Sequence, residues 1–198
     1  MTTQTRTSEL EAVNTILSTI GESPLNTLSG SLPVDGTIAK NVLSEVSREV
    51  QSQGWHFNTH YKVSLSRDTD NKIPLATNIV RVEIDPRQYS KVSYDIVQRN
   101  NFLYNLAKNE DTFDTNFKDA TAVYLLPFDE IPEQAKRYIT IRSARIFHDR
   151  TLGANTIHKF SQEDEAKSLS ILKQAESHTG DYSIFDTPEQ AYTIIRGS

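Results

Sequence analysis

Apolar residues near the start of the chain recur at helical spacing. Leu10, Val13, Ile16, Leu17 and Ile20 fall on one face, which predicts a first helix entered at Ser8. Ser8 and Glu11 have the spacing of a capping box, in which each satisfies a backbone N–H that the first helical turn leaves free. Gly21 stops this helix and Pro24 prevents its resumption. Ser29 to Gly36, rich in Ser, Gly and Pro, reads as a loop. A second helix is expected from about Thr37 to Gln53. Ile38, Val42, Leu43, Val46 and Val50 form its apolar stripe, and Lys40, Asn41, Ser44 and Arg48 its wet side. Gly54 ends it. Two such helices most simply pack as an antiparallel pair.

The period then changes from helical to alternating. Tyr61, Val63 and Leu65 alternate with Lys62 and Ser64, and Val80, Val82 and Ile84 with Arg81 and Glu83. Val92, Tyr94 and Ile96 repeat the pattern, Gln98 to Asn101 reads as a polar turn, and Phe102-Leu103-Tyr104 returns as its partner strand. Asn109 to Lys118 reads as a loop, and Ala122 to Leu126 as a last short strand. A third helix begins near Pro132, where proline loses no needed donor. Its apolar residues do not share one side. Ile139 and Ile146 lie together, Ile141 lies elsewhere, and Arg137, Arg142, Arg145 and Arg150 are spread around it, so it should have neighbours on more than one side. Gly153 ends it, and a fourth helix is expected over about Asn155 to His178, with Ile157, Phe160, Leu169, Ile171, Leu172 and Ala175 roughly on one face. The expected fold is α+β: a four-helix bundle with an antiparallel β-sheet subdomain inserted between helices two and three. The boundaries are 1–58 for the first helical hairpin, 59–127 for the sheet, 128–180 for the second hairpin and 181–198 for a C-terminal arm.

Composition removes several classes of function. The chain has no cysteine, which excludes disulfides and thiolate metal sites. A net charge of −5 argues against a protein that grips DNA phosphates, which needs clustered Lys and Arg. No apolar run approaches the roughly 20 residues of a membrane helix, and Met1 to Thr7 lacks the apolar core of a signal peptide. The expectation is a protein without membrane anchor that stays in the cytoplasm or leaves within a particle. His56 and His60 are four apart, but they fall at a helix exit and in a strand, where that spacing has no ligand meaning. There is no Gly-x-Ser-x-Gly elbow and no Gly-rich phosphate loop. Asp129-Glu130 and Glu163-Asp164-Glu165 read as a helix entry and a solvated helix face rather than catalytic carboxylates. No catalytic, cofactor-binding or metal residue is assigned. Trp55 and Phe57, straddling His56, are expected to seal the junction between helices and sheet, the alternative being an exposed partner contact. Arg142 and Arg145 suit desolvated contacts between subunits, because the guanidinium fork pairs bidentately. Tyr182, Ile184, Phe185, Tyr192, Ile194 and Ile195 are too apolar for a solvated tail. The segment after Gly180 is therefore expected to dock on a neighbouring subunit or partner, with Tyr182, Phe185, Tyr192 and Ile194 in that contact, the alternative being the chain's own bundle.

Two blocks carry a resemblance. Glu11 to Glu22, Thr27-Leu28 and Gln51-Ser52-Gln53-Gly54-Trp55-His56-Phe57-Asn58 resemble the start of the tail tubular protein A family, the head-to-tail adaptors of short-tailed phages. Asp129-Glu130-Ile131-Pro132-Glu133, Arg137-Tyr138, Ala144-Arg145-Ile146-Phe147 and Gly153-Ala154 resemble the family's later helix, and Tyr94 to Tyr104 and Phe113-Asp114 are fainter matches. The resemblance implies a structural virion protein. It would be assembled in the host cytoplasm into a dodecameric ring between the portal and the tail nozzle, tail tubular protein B. Tail fibres would attach nearby, DNA would pass through the lumen, and there would be no catalytic residues and no cofactor. The alternatives are a monomeric tail-completion or stopper protein and, further off, a small hydrolase.

Overall fold

The computed structural model describes residues 5–153 and 160–179. Among these it shows four helices and antiparallel sheets, an α+β protein. Helix α1 spans Glu9–Leu17, and Ser8 caps it as the sequence predicts: its side chain accepts from the Glu11 N–H while Glu11 accepts from the Ser8 N–H. Ala12, Val13, Ile16 and Leu17 are buried.

Helix α2 spans Val34–Gln51 and so starts a turn before the expected Thr37. The Gly36 that signals a loop in sequence lies inside the first turn. A Cβ there would meet the Leu25 side chain at 2.9 Å, so the missing side chain lets the preceding loop lie against the helix. Ala39 takes the buried position, while Ile38, placed in the apolar stripe by spacing, is 40% exposed at the helix's outer edge.

Five strands follow: β1 (Thr59–Leu65), β2 (Ile79–Glu83), β3 (Ile96–Arg99), β4 (Phe102–Asn105) and β5 (Phe117–Tyr124). They form a three-stranded antiparallel sheet in the order β1-β5-β2 and a β3-β4 hairpin. The hairpin turns on Asn100-Asn101, both at positive φ, which matches the twist of a two-residue connection. Gln98 and Arg99, expected in the turn, belong to β3. Val92 to Tyr94, expected in a strand, form a turn in which Ser93 and Tyr94 both donate to the Ser90 carbonyl, and Val92 is 88% exposed. The central strand β5 begins at Phe117, within the segment expected to be a loop. The polar Asn, Thr, Asp and Lys around it mask the strand, but Phe117 is fully buried and packs edge-on against Tyr89, Tyr94 and Phe113.

Helix α3 runs Glu133–Leu152, from a Pro132 cap to Gly153. Helix α4 runs Gln162–Thr179. Ser161 and Asp164 cap it by exchanging hydrogen bonds, which places its start later than the expected Asn155; residues 154–159 lie outside the described chain. Leu172 is buried on α4, but Ile171, assigned to the same face, points out at 48% exposure.

Two hydrophobic cores result. The helical one is built from α1, α2, α3 and Leu172 of α4. The other joins Leu65, Ile73, Leu75, Ile79, Leu103, Phe113, Phe117 and Ala120. Helix α3 packs against α1, α2 and α4, which explains why its apolar residues share no single face. Among the described residues no helix is long and apolar enough to cross a membrane.

Candidate functional site

The segment after α2 is where helices meet sheet. Gln51 ends α2 almost fully buried, and its amide imitates a strand. Nε2 donates to the Leu126 carbonyl at 3.1 Å, and Oε1 accepts from the Leu126 N–H at 2.8 Å. Gly54 then reverses the chain at φ +78°, with the Arg81 guanidinium and a Val123 methyl where a Cβ would go. The 3₁₀ turn His56–Asn58 follows. Asn58, with no exposed surface, donates to the carbonyls of Gln51 (2.9 Å) and Tyr124 (2.7 Å) and accepts from the Trp55 N–H (2.9 Å). Trp55 donates through Nε1 to the Val50 carbonyl at 2.7 Å, and both Trp55 and Phe57 pack against the helical core. His56 sits in the turn and His60 on β1, its ring 4.6 Å from that of Tyr124. Among the described residues no group of three or more His, Asp or Glu is placed to hold a metal. The arrangement is a joint of satisfied polar groups.

The arginines of α3 form an ion-pair web. Arg142 reaches Glu49 of α2 at 2.6 Å and Glu165 of α4 at 3.3 Å, and also donates to the Tyr138 hydroxyl. Burial works against its charge. The Tyr138 hydrogen bond and the Glu49 carboxylate outweigh that and leave the pKa above the ordinary arginine value. Arg145 pairs with Glu165 at 2.6 Å and Asp149 at 3.4 Å. Arg150 forks onto Glu45 of α2, and its hydrogen bond holds the Glu45 carboxyl below the usual range. The sequence marks these cations but not their carboxylate partners on α2 and α4, which lie 20 to 105 residues away. Both Arg142 and Arg145 keep about a quarter of their side-chain surface exposed. Tyr182, Phe185, Tyr192 and Ile194 lie outside the described residues.

A third cluster ties down the start of the chain. Glu133, the first residue of α3, accepts from the Thr7 N–H and hydroxyl, and Asp129 accepts from the Glu9 N–H. Lys136, 1% exposed, donates to the Thr7 carbonyl at 2.7 Å with its ammonium 5.7 Å from the Phe128 ring centre. No sequence signal marks this contact, because the sequence gives Lys136 no visible partner.

One concavity lies in the sheet half. It is a cleft of about 400 Å³ between the end of β2 and the start of β3, walled by Val82, Ile84, Pro86, Tyr89, Tyr94 and Ile96. Charged groups stand at its rim: Glu83, Lys91 and Asp95. The Tyr94 hydroxyl donates to Asp114 at 2.7 Å, which raises the phenol pKa and lowers that of the carboxyl.

The sequence profile of the tail tubular proteins matches residues 10–182. Tail tubular protein A of Klebsiella phage KP34 is 27% identical over 167 residues, covering 84% of this chain and 86% of that protein. The match spans α1 to α4, the joint and both cores together, and the chain belongs to the tail tubular protein family of phage tail structural proteins.

Proposed function

We propose that this chain is the connector subunit of a phage tail: it closes into a ring, a dodecamer, between the portal and the tail nozzle protein, tail tubular protein B, with DNA passing through the lumen and tail fibres attaching nearby. The observation that carries this reading is the family match across nearly the whole chain, together with the kinship to a protein named tail tubular protein A. Two physical features support it. A net charge of −5 suits a wall past which DNA must slide without being held. A closed ring also needs two different, complementary surfaces on each subunit. One end of the helical half exposes Val34 and Ile38, while the α3–α4 side carries Arg142 and Arg145 among their carboxylates. In this proposal Arg142 and Arg145 keep a second role at the subunit contact, alongside Tyr182, Phe185, Tyr192 and Ile194 of the C-terminal arm. The function is mechanical and needs no catalytic group.

Electron microscopy and light scattering of the purified protein, alone and mixed with portal, test the proposal. A hollow ring with a mass near twelve subunits is expected. A protein that stays monomeric and binds portal singly overturns the ring and leaves a stopper in its place.

A further inference from the structure

Two exposed apolar surfaces belong to different parts of the helical half. On α2, Val34 is 74% exposed and Ile38, one turn on, is 40% exposed. Asp35 lies three residues before Ile38 and is therefore its neighbour on the helix surface; among the described residues it forms no ion pair. Between α3 and α4, an open groove of about 170 Å³ is walled by Glu133, Gln134, Arg137, Ser168 and Ile171. Ile171 is 48% exposed, and the methylene stems of its polar neighbours keep the groove mainly apolar. The charges around it are unevenly committed. Glu133 accepts from the Thr7 N–H and hydroxyl. Asp164, which lies within the fields of Arg137 and Lys167, accepts from the Ser161 N–H and hydroxyl. Arg137 and Lys167 themselves form no ion pair among the described residues; the Arg137 guanidinium stands 5.6 Å from the Phe160 ring centre, and Lys167 is one turn before Ile171 on α4.

Resting on the ring reading, we propose that this groove receives Val34 and Ile38 of an adjacent copy, with that copy's Asp35 set against Arg137 and Lys167. The groove offers apolar walls and two uncommitted cations, so it suits an apolar knob that carries a carboxylate, and the start of α2 is such a knob. A copy does not fill its own groove. The Glu49–Arg142 and Glu45–Arg150 pairs set α2 antiparallel to α3, which puts Val34 and Ile38 toward the C-terminal end of α3, whereas Gln134 and Arg137 stand in its first turns. From Arg137 to Leu152 the helix rises about 22 Å. Knob and groove are different surfaces, and a contact between unlike surfaces is the kind that repeats around a ring instead of closing a pair.

Charge reversal and cross-linking on the full-length chain test this. Asp35→Arg and Arg137→Asp should each weaken assembly about tenfold or more, read by light scattering, with melting temperatures close to that of the unaltered protein. Asp35→Arg combined with Arg137→Asp should recover most of the loss. The absence of cysteine also allows a directed disulfide. Val34→Cys assembled with Gln134→Cys and oxidised should give a reducible species at twice the subunit mass, and neither variant alone should. Rings that tolerate both charge reversals, that form without the cross-link, or that cross-link equally well from one variant alone overturn the knob-and-groove contact while leaving the ring intact. Failure of the unaltered protein to form rings overturns both.

Discussion

Asn58 has no exposed surface, and its side chain spends both donors and its acceptor on three backbone groups from α2, the turn and β5. Replacing it by Ala strands buried polar groups at about 1–3 kcal/mol each, so the variant should lose several kcal/mol in urea unfolding. Asn58→Asp is more telling. It sets a carboxyl oxygen, which donates only when protonated, against the carbonyls of Gln51 and Tyr124, so the introduced carboxyl is held protonated and its folded pKa lies above the unfolded one. The variant's stability deficit should therefore be smallest at acid pH and grow as pH rises through that pKa; a deficit independent of pH would contradict the assigned geometry. Gly54→Ala combines a positive φ with collision against Arg81, and should cost about 1–2 kcal/mol or more, read as a lowered melting temperature. The sequence shows Gln51 to Asn58 as a distinctive string, yet not why. Gln51 finds its partner 75 residues away and Asn58 one of its own 66 away, and no local pattern encodes such distances.

At the scale of elements, two helix starts are legible from local residues, Ser8 with Glu11 and Pro132 before α3, whereas the equally local Ser161–Asp164 cap of α4 and the Pro33 cap of α2 are not picked out by the apolar period. The strand β5 is not legible either, because a central strand is defined by its neighbours, and its polar residues read locally as a loop. The odd face pattern of α3 correctly implied several neighbours, and within the subunit these include α1, α2 and α4. Glu165 is the hinge pin of that packing on the α4 side, accepting from both Arg142 and Arg145. Arg145→Glu should loosen α4 and lower the melting temperature by a few degrees, since a partly buried pair loses its partner. Arg145→Glu with Glu165→Arg should restore part of that stability, since the re-formed pair sets its new cation against Arg142 and its new carboxylate beside Asp149. If the swapped variant melts cooperatively yet fails to assemble, Arg145 contacts a neighbouring subunit as proposed; if it assembles normally, its work is inside the subunit.

Across the whole molecule, several carboxylates titrate below their ordinary values. Backbone and side-chain hydrogen bonds from Ser8 hold Glu11 low, those from Arg87 hold Asp85 low, and those from Ser161 hold Asp164 low; Lys72 and Tyr94 do the same for Asp111 and Asp114 through their side chains. A carboxyl whose folded pKa is depressed stabilises the fold above its unfolded value and loses that contribution as pH falls through the folded one. Thermal stability should be level near neutrality and decline below about pH 4.5, where ordinary carboxyls begin to protonate. Melting curves from pH 7 to 3 check this, and Asp114→Asn should shallow the acid slope.

The central place of α3 also sets an order of events in time. The apolar faces of α1 and α2 are closed by residues of α3, and the whole sheet is synthesised between them. A nascent chain emerges N-terminus first and slowly relative to helix formation. The first two helices must then wait, with Ile16, Leu17, Leu43 and Val46 uncovered, while the sheet builds its own core from nearer contacts. A fragment ending at Asn58 should accordingly show helical circular dichroism but no cooperative melt, and it should bind a hydrophobic dye that the full chain excludes. The stage most exposed to aggregation falls between the ribosome's release of β5 and its release of α3, so a translational pause there should lower soluble yield more than one placed after α4.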